Sequence, residues 1–283
     1  MIEEVVFGNI EMPGEFIRLI LAFAGVCIAT YFDLFNRKNI PDSFLYGFLA
    51  VAFIVNLFFY QEQLFIFSLA VAVVLSAIGY IFYRVGQLGG ADLFVLASIM
   101  LLLPIHPSFV QMPFNMPFVF SVMIFAGVLF SLYVLVSFGI KLRHRETKPN
   151  LSFLLIIIPY LVIVYVFYTY PLFFSPVYFG IFTILFIAIV FFMVYRDDLT
   201  RMLAEKMNAD QLEPEDVIAT ELMDKDTVKK YGIKRLATEK EIERLKGLDI
   251  GEIWVYTKMP PFLPFLLAGM FLSLFFSRAL LFG

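Results

Sequence analysis

Cysteine is all but missing. Cys27 is the single one in 283 residues, so no internal disulfide can form and no multi-cysteine zinc site can be assembled. Its expected place is that of a small apolar residue in a buried helix. Histidine is nearly as scarce: the chain holds His106 and His144 alone. The first falls in a loop and the second between Arg143 and Arg145, poor settings for metal ligation or catalysis. Charge is sparse as well, at 16% of residues, against about 25% in soluble domains. The net charge of -3 carries no message about nucleic acid, because most charges cluster in one late segment. Nucleic acid is therefore not an expected partner, and neither a metal nor a cofactor is expected. The first residues lack the positive flank of a cleaved leader, since Glu3, Glu4, Glu11 and Glu15 precede the first apolar run.

What the chain has instead is hydrocarbon. Hydrophobic residues make up 61% of it, and Phe alone fills 36 positions. Apolar runs cover residues 16–35, 43–60, 64–83, 93–105, 117–140, 151–170, 176–195 and 262–282. At the usual ~20 residues per span these are about eight candidate helices, the fourth conspicuously short. The expected fold is an all-α polytopic membrane protein of about eight transmembrane helices. A small cytoplasmic subdomain is expected before the last helix. The expected divisions are a transmembrane catalytic core at 1–195, the polar subdomain at 196–258, and a C-terminal transmembrane helix at 259–283.

Lys and Arg placement orients the chain. Arg37 and Lys38 follow the first run, Arg84 the third, Lys141, Arg143, Arg145 and Lys148 the fifth, and Arg196 and Arg201 the seventh. The intervening loops at 61–63, 106–116 and 169–175 carry neither residue. The positive-inside rule then puts the N-terminus outside, the odd-numbered loops in the cytoplasm and the C-terminus outside, in a multi-pass protein of the cell membrane.

Two acids interrupt the apolar runs. A carboxylate at bilayer depth costs about 2.5–3.5 kcal/mol on insertion scales, so it faces a bundle interior or a wet cavity and has a partner. Asp33 lies near the cytoplasmic end of the first helix, which runs inward. Asp92 lies at the cytoplasmic start of the fourth, which runs outward. Distant in sequence, they fall at similar depth on one side of the membrane. Before Asp92 stands Gly86-Gln87-Leu88-Gly89-Gly90-Ala91, whose glycines let neighbouring elements approach the carboxylate and whose 86–90 portion is the expected flexible rim of a site. Asp33 and Asp92 are the candidate catalytic pair, supported by Gly89, Gly90 and Ala91. The helix dipoles favour an anion at Asp92, in a first turn, over one at Asp33, near a C-terminus. Asp42, after Pro41, is the expected cap of the second helix, and Arg196-Asp197-Asp198 a solvated turn.

The segment 196–258 is the one long polar region. Thr238, with Glu241 three residues on, predicts a capped helix, and Glu252-Ile253-Trp254-Val255-Tyr256 a short strand. Trp254 and Tyr256 are expected as interfacial anchors. The acids of this segment form a field that would attract a basic peptide.

Tyr31-Phe32-Asp33-Leu34-Phe35-Asn36-Arg37-Lys38-Asn39-Ile40-Pro41-Asp42 resembles the first catalytic motif of the type IV prepilin peptidase superfamily. Gly89-Gly90-Ala91-Asp92 resembles its second, the GxGD signature, with Ala91 in place of the glycine before Asp. The Gly-Gly-Ala-Asp form and residues 251–265 are similar to the archaeal branch, the preflagellin and prepilin peptidases. The resemblance implies an aspartic endopeptidase that removes a short basic leader from type IV pilin-like or archaellin precursors at the cytoplasmic face. It implies an Asp33/Asp92 dyad and an activated water. A single cysteine and no nucleotide motif set the chain apart from bacterial members with a cysteine-rich loop and N-methylation. A proton- or cation-coupled transporter is the alternative that paired intramembrane acids leave open. A purely structural subunit leaves the glycine stretch unexplained.

Overall fold

The computed structural model describes residues 2–8, 10–36, 40–86, 88–110, 112, 114–169, 176–248, 251–257 and 260–282. Arg37 and Lys38 of the first basic loop, Gln87, most of the 169–175 loop and Lys258 fall outside them. Every apolar run becomes helical. A short α1 (Ile2–Phe7) precedes α2 (Glu15–Phe35), α3 (Asp42–Phe58), α4 (Glu62–Arg84), α5 (Gly90–Leu102) and α6 (Phe118–Arg143). A 3-10 segment, Leu151–Ile156, opens α7 (Ile157–Thr169), and α8 (Pro176–Val194) follows. The last helix is α12 (Leu263–Phe282). Five of these segments are long and apolar enough to cross a membrane; α3, α5 and α12 are shorter apolar helices.

α5 lies at the centre, packed against α2, α3, α4 and α6. α12 closes the bundle between α2 and α6 despite coming last in the chain. Its seam with α6 runs through Gly269, where a Cβ would come within 2.7 Å of the Val122 carbonyl oxygen. Small residues of this kind are how helices gain van der Waals contact where lipid offers no hydrophobic drive.

The shortness of α5 has a cause. A helix end leaves its last carbonyls without partners, a state that hydrocarbon does not tolerate. Arg18, on α2 and only 1% exposed, supplies the donors. Its Nη1 donates to the carbonyls of Leu101 and Leu102, both at 3.3 Å, and to Asn56 Oδ1 at 2.8 Å. Nε donates to Pro13 O at 2.8 Å, and Asn56 Nδ2 to Leu101 O at 2.6 Å. The helix therefore ends inside the bundle on a buried cation rather than at a water surface.

The polar stretch adds α9 (Arg196–Leu203), β1 (Ala204–Asn208), α10 (Lys225–Tyr231), α11 (Glu239–Lys246) and β2 (Glu252–Tyr256). β1 and β2 pair antiparallel, Ala204 opposite Tyr256 and Asn208 opposite Glu252, so the chain is mostly helical but not wholly so. Leu212, Ile218, Ile242, Leu245, Ile253 and Val255 form a separate small core here. Thr238 caps α11 by accepting the Glu241 N–H. Glu241 turns away from the cap: it accepts the Lys234 N–H at 3.2 Å and pairs with Arg244. Burial pushes its carboxyl up, but those hydrogen bonds outweigh it and leave it below the ordinary value.

Other expectations need correction. Asp197 and Asp198 stand in the first turn of α9 rather than in a loop turn; Asp197 is exposed, and Asp198 accepts the Lys148 N–H at 3.1 Å. Pro41, not Asp42, is the N-cap of α3. Cys27 is exposed on α2 rather than buried, because its face of the helix looks away from α5 and α12. His106 is buried with both ring nitrogens engaged, by Met116 O and Ser121 Oγ; His144 is exposed at the end of α6.

Candidate active site

Three helix ends meet at one end of the bundle: the C-terminal turn of α2 and the first turns of α5 and α12. Asp33 sits in the last turn of α2, 9% exposed, and its Oδ2 accepts the backbone N–H of Leu263 at 3.1 Å. One turn back on α2, Thr30 Oγ1 donates to the Leu263 carbonyl at 3.3 Å. The first residue of α12 is thus held at both its backbone groups by α2. A helix N-terminus now faces Asp33 as well as Asp92, so the dipole contrast read from the sequence is offset by α12.

Asp92 is the third residue of α5. Its Oδ2 accepts the Gly89 N–H at 3.3 Å, which satisfies a donor ahead of the helix. Gly89 has extended backbone, and a Cβ there would lie 3.1 Å from the same oxygen. Gly86 has φ +71, a left-handed conformation that favours glycine. Ala91 is half-buried and packs on the main core. The carboxyl groups of Asp33 and Asp92 lie close enough to interact electrostatically.

A third carboxylate joins them from the polar unit. The turn Glu213-Pro214-Glu215-Asp216 closes with the Asp216 N–H donating to Glu213 O at 3.2 Å. Glu215 takes its third place at φ +72 and is the one non-glycine residue with positive φ among the described residues; type II turns favour glycine there. The Tyr83 hydroxyl donates to Glu215 Oε1 at 3.0 Å. A Cβ on Gly90 would stand 2.9 Å from that same oxygen. Glu215 also interacts electrostatically with Asp92.

Sequence reasoning named Asp33, Asp92 and the glycines but missed Arg18, Leu263 and Glu215. Arg18 carried a readable signal, a cation inside the first apolar run. The Leu263 backbone group and the Glu215 carboxylate carried none.

Residues 20–135 match the Type IV leader peptidase family. That stretch, under half of the chain, contains Asp33, the glycine run and Asp92, and over it the chain is similar to prepilin-type leader peptidases; the five long apolar segments are of the kind that multi-pass membrane proteins carry. No curated protein and no solved structure matches the chain.

Proposed function

We propose that the chain is an aspartic endopeptidase of the cell membrane, with Asp33 and Asp92 as its dyad. Its substrates are type IV pilin-like or archaellin precursors, as in the archaeal branch of the family. It removes their short basic leader at the cytoplasmic face. All eight apolar runs lie in the bilayer, the N-terminus is outside, and 196–258 forms a cytoplasmic subdomain between the core and the C-terminal helix. The observation that supports this reading is the approach of the Asp33 and Asp92 carboxyl groups, far apart in sequence, at one end of the bundle.

Two carboxyl groups at close range hold one proton between them, because both ionised would repel. The ionised member takes a proton from water as the oxygen attacks the scissile carbonyl carbon. The protonated member donates to the carbonyl oxygen. Collapse of the tetrahedral intermediate breaks the C–N bond as the carboxyl that took the water proton passes it to the leaving amine, while the other recovers its proton from the gem-diol hydroxyl. A scissile bond inside a helix is shielded, so the extended junction ahead of the substrate's apolar helix is what enters. Glu215, beside Gly90, then faces the basic side of that junction.

The test mixes purified full-length chain with pilin-like and archaellin-like precursors and follows leader loss. Asp33→Asn and Asp92→Asn should each slow cleavage by about 10²–10⁴-fold with unchanged size-exclusion behaviour. Cleavage retained in either variant removes that residue from the mechanism. Glu215→Gln should slow basic leaders about tenfold and neutral ones little, as expected for a partly exposed charge–charge contact.

A further inference from the structure

Where α8 ends at Val194 the apolar run stops, Tyr195 turns the chain into α9, and the polar unit packs alongside. A cavity of about 460 Å³ opens at this junction. Phe153, Phe192 and Leu203 form part of its apolar wall, and Arg196, Arg235 and Tyr256 contribute the polar side. Phe153 and Phe192 belong to segments apolar enough to span a membrane. The wall is therefore continuous with hydrocarbon, while the guanidinium groups stand at the boundary with water.

The polar side is built but incomplete. Arg235 lies over the Tyr256 ring, 5.9 Å from its centroid, and its Nη2 stands 3.6 Å from Glu221 Oε1. Its Nε is buried and has no hydrogen-bond partner among the described residues. A buried guanidinium N–H without an acceptor is costly, and the η nitrogens of Arg235 and Arg196 are groups that pair with phosphate oxygens. Glu221 accepts the Tyr256 hydroxyl. Burial pushes its carboxyl up, but that hydrogen bond and the charges of Arg235 and Arg196 outweigh it and leave it below the ordinary value. One ionised carboxylate thus faces two guanidinium groups, which leaves a single positive charge beside an apolar slot.

We propose that this cavity seats an anionic phospholipid, its phosphodiester on Arg235 and Arg196 and an acyl chain along Phe153 and Phe192. The charge balance fits one phosphodiester, and the wall fits a hydrocarbon chain entering from the bilayer. The inference stands apart from the peptidase reading, since it uses neither Asp33 nor Asp92.

The test uses the full chain in a neutral detergent, mixed with equal amounts of phosphatidylglycerol and phosphatidylcholine of matched acyl chains. Native mass spectrometry reads the lipid retained. The expected result is about a tenfold preference for phosphatidylglycerol, as one charge-assisted contact provides, unchanged by excess inorganic phosphate. Arg235→Gln should abolish the preference. Leu203→Trp, which keeps both arginines but fills the slot, should abolish retention, and it decides the matter if Arg235→Gln fails to fold. Equal retention of both lipids by the parent chain overturns the proposal, as does an unchanged preference in Leu203→Trp. Displacement by inorganic phosphate also overturns it, by making a free anion the ligand.

Discussion

α5 and α7 are each 13 residues long and almost wholly apolar, yet they live in opposite surroundings. From Val95 to Leu102 every residue of α5 is buried, whereas α7 has no buried residue at all. Hydropathy cannot tell these helices apart, because lipid and protein interior are equally dry. What separates them is the chemistry at their ends. α5 starts on Gly89, Gly90 and Asp92 and finishes on the Arg18 guanidinium, so polar partners pin both termini within the bundle. α7 follows a 3-10 segment and meets α8 through Tyr160, which stacks on Phe182 and Phe186. The helix carrying a candidate catalytic acid is the one whose position is over-determined, and that is the rigidity a positioned carboxylate needs.

The largest effect that would break this comparison is at Arg18. Arg18→Leu strands Asn56 Oδ1 and the Leu102 carbonyl inside the bundle, and should cost about 3–5 kcal/mol in unfolding experiments in detergent. A neutral result would show that α5 does not depend on its buried cap. A matched pair sharpens the contrast. Val95 is 0% exposed and Val162 57%; Val95→Ala should cost about 1–2 kcal/mol through lost packing, and Val162→Ala under about 0.5 kcal/mol. Equal costs would mean that α7 is covered by protein.

The same contrast recurs within α11, outside the bundle. Glu241 is 4% exposed and hydrogen-bonded, while its neighbour Glu243 is exposed. Glu241→Gln should cost about 1–3 kcal/mol and Glu243→Gln nearly nothing, by thermal melts near neutral pH. The folded carboxyl of Glu241 lies below its ordinary value of 4.5. Its contribution is therefore complete above that value and is lost as pH falls through the lower folded one. In Glu241→Gln that segment of the pH–stability curve should flatten. A small effect of the opposite sign belongs to Glu215→Gly. Relief of its left-handed backbone should raise stability by under about 1 kcal/mol, while cleavage of basic leaders falls as in Glu215→Gln.

The apolar runs marked every long apolar helix to within a few residues, five of them of spanning length, since a helix satisfies its own backbone where the side chains are hydrocarbon. The Thr238 cap and the strand at 252–256 were legible for local reasons. β1 was not: Ala204-Glu205-Lys206-Met207-Asn208 is mostly polar and becomes a strand only because β2 returns to pair with it. Trp254 and Tyr256 belong to that sheet, where Lys206 sits over the Trp254 ring at 5.5 Å and Tyr256 faces the cleft beside Arg235. At the candidate site the acids were legible because a carboxylate in hydrocarbon is costly wherever it points. The Leu263 N–H was not, since every residue but proline has one. Glu215 was hidden too, because its placement rests on a turn conformation that its own side chain disfavours.

Residue 263 emerges from the ribosome long after residues 33 and 92. A growing chain that already holds both acids still lacks the amide that orients the first of them. On the proposed chemistry, a nascent or truncated copy ending before α12 should sit among its neighbours in the bilayer without cutting them, and should gain competence with that helix.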